Sequence, residues 1–316
     1  MKKVLTLVLA LALTLGCALG ASAEEETYTI GICQLVQHDA LDAATQGFMD
    51  AVTEAMGDRV TFDVQNASGD SNTCATIVNS FVSQGVDLIM ANATAAVQAA
   101  ATATYDIPIL GTSVTEYGVA LDIPDFDGVT GYNVSGTSDL APLDEQAAML
   151  MELFPDAQTV GMLYCSAEPN SVYQVQVVTE TLEAAGIECE DFAFSDSNDL
   201  AAVASAACEY SDVIYVPTDN TAASSTGIID GVCRPAGVPV IAGEEGICSG
   251  CGVATLSISY YDLGVATGEM AVRILDGGED ITTMPIEYAP TFTKKYNPEI
   301  CEELGVEIPD DYVAIG

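Results

Sequence analysis

The 316-residue chain has very little positive charge. It contains one histidine, no tryptophan and seven Lys and Arg residues against 47 Asp and Glu, which gives a net charge of −40. Such an acidic surface repels phosphate backbones and anionic lipid headgroups, because binding to either depends on Lys and Arg. We therefore expect no nucleic-acid partner. We interpret the acidity as a means of solubility or an adaptation to a salty habitat, in preference to a sign of a cationic partner.

The common sequence signatures of enzymes are also missing. The sequence has no GxSxG elbow, no P-loop, no HExxH pair and no GxGxxG after the first predicted strand. A zinc site lacks partners because His38 is the sole histidine. We therefore expect no cofactor, no metal and no catalysis. A hydrolase that uses two carboxylates is a less favoured alternative, since 47 acidic residues guarantee accidental pairs.

The N-terminus predicts export. Two lysines precede an apolar run from Val4 to Gly16, and Ala21-Ser22-Ala23 follows as a small-residue cleavage site. Residues 1–23 are therefore predicted to be a signal peptide, since the run is shorter than the roughly 20 residues of a membrane span. Cys17 offers the alternative of lipidation. The mature protein is expected outside the cytoplasm, either free in the periplasm or anchored at the cell surface.

Cysteine usage is unusual for an exported protein. Nine cysteines follow Cys17, so at least one is unpaired, and several lie in apolar runs where Cys acts as a small hydrophobic residue. This pattern favours a low-oxygen habitat over a disulfide scaffold. Cys248 and Cys251 form a C-x-x-C among glycines. We predict a structural turn or a local disulfide there, in preference to a redox or metal site.

Apolar runs along the chain alternate between strand and helix patterns. A βαβ series with right-handed crossovers forms a parallel sheet, and here two such series follow one another, which predicts two lobes with a cleft between them. The predicted strands are Thr27–Cys33, Val60–Gln65, Val86–Asn92, Ile107–Thr112, Val129–Asn133, Val160–Cys165, Glu188–Phe194, Asp212–Val216, Val238–Ala242 and Gly252–Ser257, with an extended segment at Ile286–Lys295. The predicted helices are Ala40–Met56, Cys74–Gln84, Ala93–Thr104, Leu143–Phe154, Ser171–Ala185, Leu200–Glu209, Ala222–Arg234 and Tyr261–Leu275.

Two strands of the second series end in small polar residues. Val160–Tyr164 runs into Cys165–Ser171, and Asp212–Val216 runs into Pro217–Thr221. Each polar stretch then opens a helix. Parallel strands end at one edge of their sheet, and open α/β folds bind small polar ligands at that edge. The sequence therefore predicts a ligand site there.

Four segments of the chain resemble one protein family. Ile30–Asp42, Ser166–Ser171, Val216–Thr221 and Ser259–Gly264 are similar, in this order, to segments of the ABC-transporter substrate-binding proteins for tryptophan and tyrosine uptake. The resemblance implies the α/β fold of a type I periplasmic binding protein, in which two Rossmann-like lobes with parallel sheets are joined by three crossings and hold the ligand in the cleft between them. The crossings are expected near Ser135–Ser138, Thr255–Ser257 and Ile286–Tyr288.

The same resemblance implies a domain division and a function. Lobe 1 is expected to comprise residues 27–136 and 257–284, and lobe 2 residues 137–256 and 285–316. The expected ligand is an aromatic amino acid, which a monomer would deliver by hinge closure to an ABC permease driven by its ATPase. A sensory module with the same fold is the main alternative. The preferred amino acid stays open, as does a related small carboxylate or nucleoside.

A free amino acid carries a carboxylate and an ammonium, and each needs a partner when it is buried. The ammonium suits a carboxylate, and our order of preference is Asp219, Glu168, Glu244. The carboxylate suits hydroxyls, amides and helix N–H groups. Any one of these side chains can equally be a helix cap, and His38 is left out as a surface or helix-start residue. The other candidates are Gln34, Thr94, Thr112, Ser113, Asn133, Ser166, Asn170, Ser171, Thr218 and Asn220.

Overall fold

A computed structural model describes residues 26–316, so the predicted signal peptide and Cys17 lie outside the described residues. Two separate sheets organise this part of the chain, and we call the units built on them lobe 1 and lobe 2. Within residues 26–316, no helix combines the length and the apolar character that a membrane crossing needs.

Lobe 1 is a six-stranded parallel sheet with helices on both faces. The strand order is β11-β5-β4-β3-β1-β2, and every pairing is parallel. Its elements are β1 (Tyr28–Gln34), α1 (Asp39–Met56), β2 (Val60–Asn66), α2 (Ser71–Gln84), β3 (Leu88–Asn92), α3 (Thr94–Ala103), β4 (Ile109–Val114), α4 (Tyr117–Leu121), β5 (Val134–Ser138), α11 (Tyr260–Leu275) and β11 (Glu287–Tyr288), with single 3-10 turns at Gly57–Arg59 and Ile281–Thr283.

Lobe 2 is a seven-stranded sheet in the order β13-β12-β10-β9-β8-β6-β7. Its pairings are parallel except that between β10 and β12. Its elements are α5 (Leu143–Leu153), β6 (Thr159–Cys165), α6 (Pro169–Ala184), β7 (Glu188–Phe194), α7 (Leu200–Tyr210), β8 (Val213–Val216), α8 (Asn220–Ala223), α9 (Thr226–Ala236), β9 (Val240–Ala242), α10 (Glu245–Cys251), β10 (Ala254–Ser257), β12 (Thr293–Tyr296), α12 (Pro298–Leu304) and β13 (Val313–Ala314).

Each sheet is buried between helices, which explains the continuous apolar runs of its central strands. All residues of β3, β4 and β8 are buried. In lobe 1, α1 and α11 cross at very close range over one face of the sheet. A Cβ at Gly264 would lie 2.0 Å from the carbonyl oxygen of Ala44. Glycine is therefore required for the backbones of these two helices to approach so closely.

The chain passes between the lobes three times. It leaves lobe 1 after β5, returns between β10 and α11, and leaves again after β11 to form β12. The connecting segments are residues 139–142, 258–259 and 289–292. The crossings lie side by side, because Tyr288 pairs with Ser138 before the third crossing and Thr293 pairs with Ser257 after it. We call these three segments the hinge.

The prediction of a strand at Val129–Asn133 is wrong. Gly128 and Gly131 adopt positive φ angles of 98° and 80°, and the Thr130 hydroxyl donates to the carbonyl of Val134. These features make a turn. The strand is β5, and it contains the polar patch of residues 135–138, where the sequence predicted a crossing between the lobes. Small residues suit β5 because it packs close to its neighbour: a Cβ at Gly136 would lie 2.0 Å from the carbonyl oxygen of Gly111.

Three further segments of lobe 2 differ from the sequence prediction. The helix predicted over Ala222–Arg234 is divided into α8 and α9 at Ser224 and Ser225. The C-x-x-C motif lies on α10 and not in a loop, because Glu244 caps that helix by accepting the backbone N–H groups of Gly246 and Ile247. Cys248 and Cys251 are buried free thiols there. The extended segment Ile286–Lys295 is two strands, one in each lobe.

Candidate functional site

A small cavity of about 10 Å³ lies between the lobes, next to the hinge. This volume suits about one water molecule and is far below the roughly 300–1,000 Å³ that ligand pockets occupy, so a larger ligand fits only when the lobes separate. Most lining residues follow the carboxyl ends of strands in the two sheets, which is where open α/β folds place ligands. The lining residues are His38, Leu41, Ser113, Thr115 and Asp139 from lobe 1 and the first crossing, Asn170, Thr218, Asp219, Asn220, Ala223 and Glu244 from lobe 2, and Tyr260 from the second crossing.

Three buried polar atoms that line this cavity lack hydrogen-bond partners. They are His38 Nδ1, Ser113 Oγ and Asp139 Oδ1. Leaving a buried polar atom unpaired costs about 1–3 kcal/mol, so three around one cavity indicate a place for a polar ligand. Ser113 also adopts a φ of 55°, in the left-handed region. Such backbone strain in a residue other than glycine is typical of ligand clamps.

Asp219 and Glu244 are buried carboxylates that cap helices in lobe 2. Asp219 accepts the backbone N–H of Cys165 at 2.7 Å and that of Ala222 at 2.8 Å. Glu244 accepts the N–H groups of Gly246 and Ile247, both at 2.6 Å. Burial raises the pKa of each carboxyl to about 7, and for Asp219 the negative charge of Glu168 adds to the effect. The ionised form of each carboxyl is therefore unfavourable in the buried cavity, and a bound cation would stabilise it.

Asp139 lies on the first crossing and is 4% exposed. Its Oδ2 accepts the Tyr260 hydroxyl at 2.9 Å, while its Oδ1 is the unpartnered oxygen. Burial raises the pKa of Asp139, and the hydrogen bond from the Tyr260 hydroxyl partly opposes that rise. Since Tyr260 follows the second crossing, this bond connects two hinge segments inside the cavity.

Glu168 lies behind the cavity and holds the loop that shapes it. Its carboxylate accepts the backbone N–H groups of Asn220 at 3.0 Å and Thr221 at 2.8 Å. It also accepts the side chains of the same two residues, each at 2.7 Å. Charge-assisted bonds of this kind are among the strongest in proteins. Glu168 is thus committed to fixing the start of α8 and does not line the cavity.

His38 connects the two lobes across the cavity. Its Nε2 lies 3.3 Å from Oδ1 of Asn220 in lobe 2. Burial lowers the pKa of His38, although the hydrogen bond to Asn220 and nearby carboxylates oppose this shift. The ring is therefore neutral near pH 7 and adds no positive charge to the cavity. His38 directly precedes α1, as expected for a helix-start residue, and it also lines the cavity.

The structure brings six of the predicted candidates together around the cavity. They are Ser113, Asn170, Thr218, Asp219, Asn220 and Glu244. Three more lie close by without lining it. Glu168 and the fully buried Ser171 support the lining from behind, with Asn170 Nδ2 at 3.3 Å from the Ser171 hydroxyl. Ser166 is exposed, and its hydroxyl donates to the carbonyl of Phe194.

The remaining four candidates do not line the cavity. Gln34 is held within lobe 1 by Asp42 and Thr45. Thr94 is buried at the start of α3, and the Thr112 hydroxyl bonds to that of Thr137 inside the lobe. Asn133 directly precedes β5, so it lies at the amino end of that strand, away from the cavity. Its amide donates to the carbonyls of Thr104 and Ile107.

Sequence reasoning missed Thr115, Asp139 and Tyr260, which all line the cavity. Asp139 and Tyr260 belong to the crossings, whose exact ends depend on where β5 and β10 stop. A signal for Asp139 was available: it is an acidic residue directly after the polar patch of residues 135–138. The error in the position of β5 concealed that signal.

Positive charge is absent from the lining. Within the part of the chain that the structure describes, no Lys or Arg lines the cavity, and the basic side chains form ion pairs elsewhere, as Arg59 does with Asp276 and Lys295 with Glu245. No group of three or more His, Cys, Asp or Glu residues suited to a metal ion occurs in residues 26–316. A wider groove of about 360 Å³ lies between α11 and the third crossing, but none of the unpartnered buried atoms lines it.

Comparison with known proteins gives a consistent result along the chain. Residues 29–315 match the family described as ABC transporter substrate binding protein. A protein named tyrosine-binding protein, from Clostridioides difficile strain R20291, is 36% identical over 293 residues, which are 87% of this chain and 85% of that protein.

Two solved structures show how the lobes compare. The ABC domain from Streptococcus pneumoniae in complex with L-Trp is 33% identical, with a TM-score of 0.86 over 90% of this chain and 97% of that one. A ligand-free, open substrate-binding protein with adhesive properties, from Clostridium difficile, is 37% identical, with a TM-score of 0.69 over 92% of this chain and all of that one. The more identical sequence thus gives the poorer superposition. The arrangement described above superposes better on the L-Trp complex than on the ligand-free, open structure.

Proposed function

The chain belongs to the ABC transporter substrate-binding protein family, and from this premise we propose that it binds an aromatic amino acid between its lobes and presents it to a membrane permease. The observation that carries the proposal is the cavity between the lobes, with three unpartnered buried polar atoms and three buried carboxyl groups around it. A small, polar, positively charged group satisfies more of these atoms than water or a sugar hydroxyl does.

Each part of an amino acid has suitable partners in the lining. The ammonium meets the carboxyls of Asp139, Asp219 and Glu244. The carboxylate meets neutral donors, among which the Ser113 hydroxyl and the Asn170 amide lie on opposite lobes. Ligand contacts from both lobes stabilise the closed form relative to the open one, so binding drives closure.

The aromatic side chain is inferred from the relatives. One of them is named for tyrosine and another was crystallised with L-Trp. The cavity between the lobes has a volume of about 10 Å³, so an aromatic ligand is accommodated only when the lobes move apart at the hinge. A closed complex then presents both lobes to the permease, and no bond is broken at any step.

The wider setting follows from the same proposal. The protein works as a monomer outside the cytoplasm, and an ATPase on the other side of the membrane drives the permease. The mass of the mature N-terminus distinguishes cleavage after Ala23 from lipidation at Cys17.

A thermal-shift panel on protein refolded free of bound ligand tests the function. It covers the twenty amino acids, purine nucleosides, sugars and dicarboxylates. We expect a rise in melting temperature with Tyr, Trp or Phe and none with sugars. Because the chain contains no tryptophan, the fluorescence of L-Trp itself then reports its binding. A rise with sugars or nucleosides alone would contradict the proposal while leaving the two-lobed fold intact.

A further inference from the structure

We propose that Cys208 and Cys233 form a reversible disulfide in lobe 2, through exchange with a small-molecule disulfide from outside the protein. Substrate-binding proteins of this family act outside the cytoplasm, where disulfides persist. Neither cysteine lines the cavity between the lobes, so the site is independent of the proposed function. Three features support it: the distance between the two sulfur atoms, the packing of the helices that carry them, and the unequal exposure of the two thiols.

The two sulfur atoms are in contact in the reduced protein. Sγ of Cys208 lies 3.6 Å from Sγ of Cys233, and a disulfide bond has a length of about 2.05 Å. The sulfurs must therefore approach each other by only about 1.5 Å, which is less than one sulfur moves when a cysteine side chain changes its rotamer. Bond formation thus needs rotation of side chains and no rearrangement of the helices.

The helices that carry these cysteines pack directly against each other. Cys208 lies on α7 and Cys233 on α9. Ala204 and Ala207 of α7 share one buried apolar cluster with Ile229 and Cys233 of α9. Cys208 packs against that cluster. The small alanine side chains let the two helices approach closely, so the packing holds the two thiols next to each other in the folded protein.

The two thiols differ in exposure, which fits the two steps of disulfide exchange. Cys208 is partly exposed, whereas Cys233 is buried, with 1% of its surface exposed. An incoming disulfide therefore reaches Cys208 first. Burial raises the pKa of both thiols, and for Cys208 the neighbouring Cys233 thiol partly opposes that rise. Attack by the Cys208 thiolate is therefore favoured over attack by Cys233.

The exchange consumes one external disulfide and releases two small thiols. The Cys208 thiolate attacks one sulfur of the external disulfide, so a mixed disulfide forms and one small thiolate leaves. The Cys233 thiol then loses its proton to water and attacks Sγ of Cys208, which expels the second small thiolate. The two protons that the cysteines release end on the two small thiolates. The cysteines are thereby oxidised, and the external disulfide is reduced.

Two other sites show why contact and exposure must coincide. A hydrogen bond with Cys74 is the main cause of the raised pKa of Cys33, so these two thiols also lie together, but both side chains are fully buried. Cys189 is partly exposed. Burial and the charges of Glu183 and Asp191 raise its pKa, and no second thiol is among the causes. The first site is a reference for a pair without access, and the second is a reference for access without a pair.

The test is treatment of the reduced, folded protein with 2-hydroxyethyl disulfide at pH 8. This reagent is uncharged, so the acidic surface of the protein does not repel it. Free thiols are then blocked, and peptides are mapped by mass spectrometry after cleavage at Asp and Glu, because no Lys or Arg lies between residues 208 and 233. We expect two peptides that are linked through Cys208 and Cys233 and that separate after addition of dithiothreitol. Cys189 should carry a hydroxyethylthio group without a cross-link.

Two variants separate the two steps. Cys233→Ala lacks the second thiol, so Cys208 should keep the hydroxyethylthio group as a stable mixed disulfide. Cys208→Ser lacks the accessible thiol, so Cys233 should stay unmodified. The linked wild type should melt about 4–8 °C above the same protein after reduction, because the bond closes a loop of about 25 residues in the unfolded chain. Cys208→Ser is the control, and its melting temperature should not respond to the reagent.

Three results would overturn the proposal. A wild type in which Cys208 retains the hydroxyethylthio group, with no link to Cys233, would show that the native packing keeps the sulfurs apart. A link between Cys33 and Cys74 that forms at least as fast would show that exposure does not select the pair. A linked protein that melts at or below the temperature of the reduced protein would show that the bond does not fit the native structure. The peptide map of the wild type decides the question even where a variant does not fold.

Discussion

Replacing Asp219 by Asn should flatten the pH dependence of stability in the ligand-free protein. Burial raises the pKa of the Asp219 carboxyl from 3.8 to about 7, with a further contribution from the charge of Glu168. Unfolding returns this pKa to its ordinary value. Between those two pH values the folded protein holds a proton that the unfolded chain has released, so Asp219 makes stability fall as the pH rises.

The size of the effect follows from proton linkage. A group that is protonated in one state and ionised in the other changes the unfolding free energy by at most about 1.4 kcal/mol per pH unit. For Asp219 this amounts to as much as about 3 kcal/mol between pH 5 and pH 7. Burial also raises the pKa of Glu244 to about 7. Glu244 therefore makes a similar contribution to the pH dependence of the unfolding free energy, and the Asp219→Asn variant keeps that contribution. Carboxyls with lowered pKa, such as that of Asp276, act below pH 4 and do not affect this window.

Urea unfolding at pH 5, 6, 7 and 8 measures the slope in the wild type, in Asp219→Asn and in the exposed control Asp262→Asn. Repulsion among the many surface carboxylates contributes to all three proteins, so the comparison isolates Asp219. We expect the wild type and the control to lose stability steeply from pH 5 to pH 7 and Asp219→Asn to lose clearly less. Equal slopes in folded wild type and Asp219→Asn would refute the reasoning that this carboxyl is buried with a raised pKa.

The other predictions concern the loop before α8, the packing of α1 against α11, and the contact of His38 with the opposite lobe. Glu168→Gln should lower the unfolding free energy by about 1–3 kcal/mol, because the loss of its charge weakens the bonds that hold the start of α8; thermal denaturation measures this, and an unchanged melting temperature would contradict the role. Gly264→Ala should cost about 1–3 kcal/mol through its collision with the carbonyl of Ala44, whereas Gly227→Ala, which faces open space on α9, should be neutral or slightly stabilising in the same urea experiment. His38→Ala removes a hydrogen bond between the lobes and should weaken tyrosine binding about 2- to 10-fold, and equal affinity in a titration would argue against closure over this residue.

Alternating apolar runs were sufficient to predict the architecture. Two βαβ series require two largely parallel sheets, and the structure has them, with one antiparallel pairing between β10 and β12. The comparison with solved structures confirms the fold class. Strand ends were predictable where a buried run stopped at small polar residues, as after β6 and β8. For that reason Asn170, Thr218 and Asp219 were found.

The rest of the site depends on features that a local pattern does not contain. The strand β5 reads as a polar patch because it packs against Gly111 at very close range, which requires small residues and not a run of large apolar ones. Because the strand was predicted too early in the chain, Asn133 was wrongly expected at its carboxyl end, and Asp139, which follows the real strand, was overlooked. Glu168 looked like a ligand contact because its four bonds to residues 220 and 221 form only in the folded lobe.

Calorimetric titration of refolded, ligand-free protein with L-Tyr, L-Trp and L-Phe tests the central claim most directly. We expect at least one of the three to saturate at one molecule per protein with a Kd below about 10 μM, which corresponds to roughly −7 kcal/mol, and D-glucose to give no binding heat. Absence of saturable binding by all three, in protein whose circular dichroism shows a folded α/β structure, would contradict the claim that this cavity holds an aromatic amino acid.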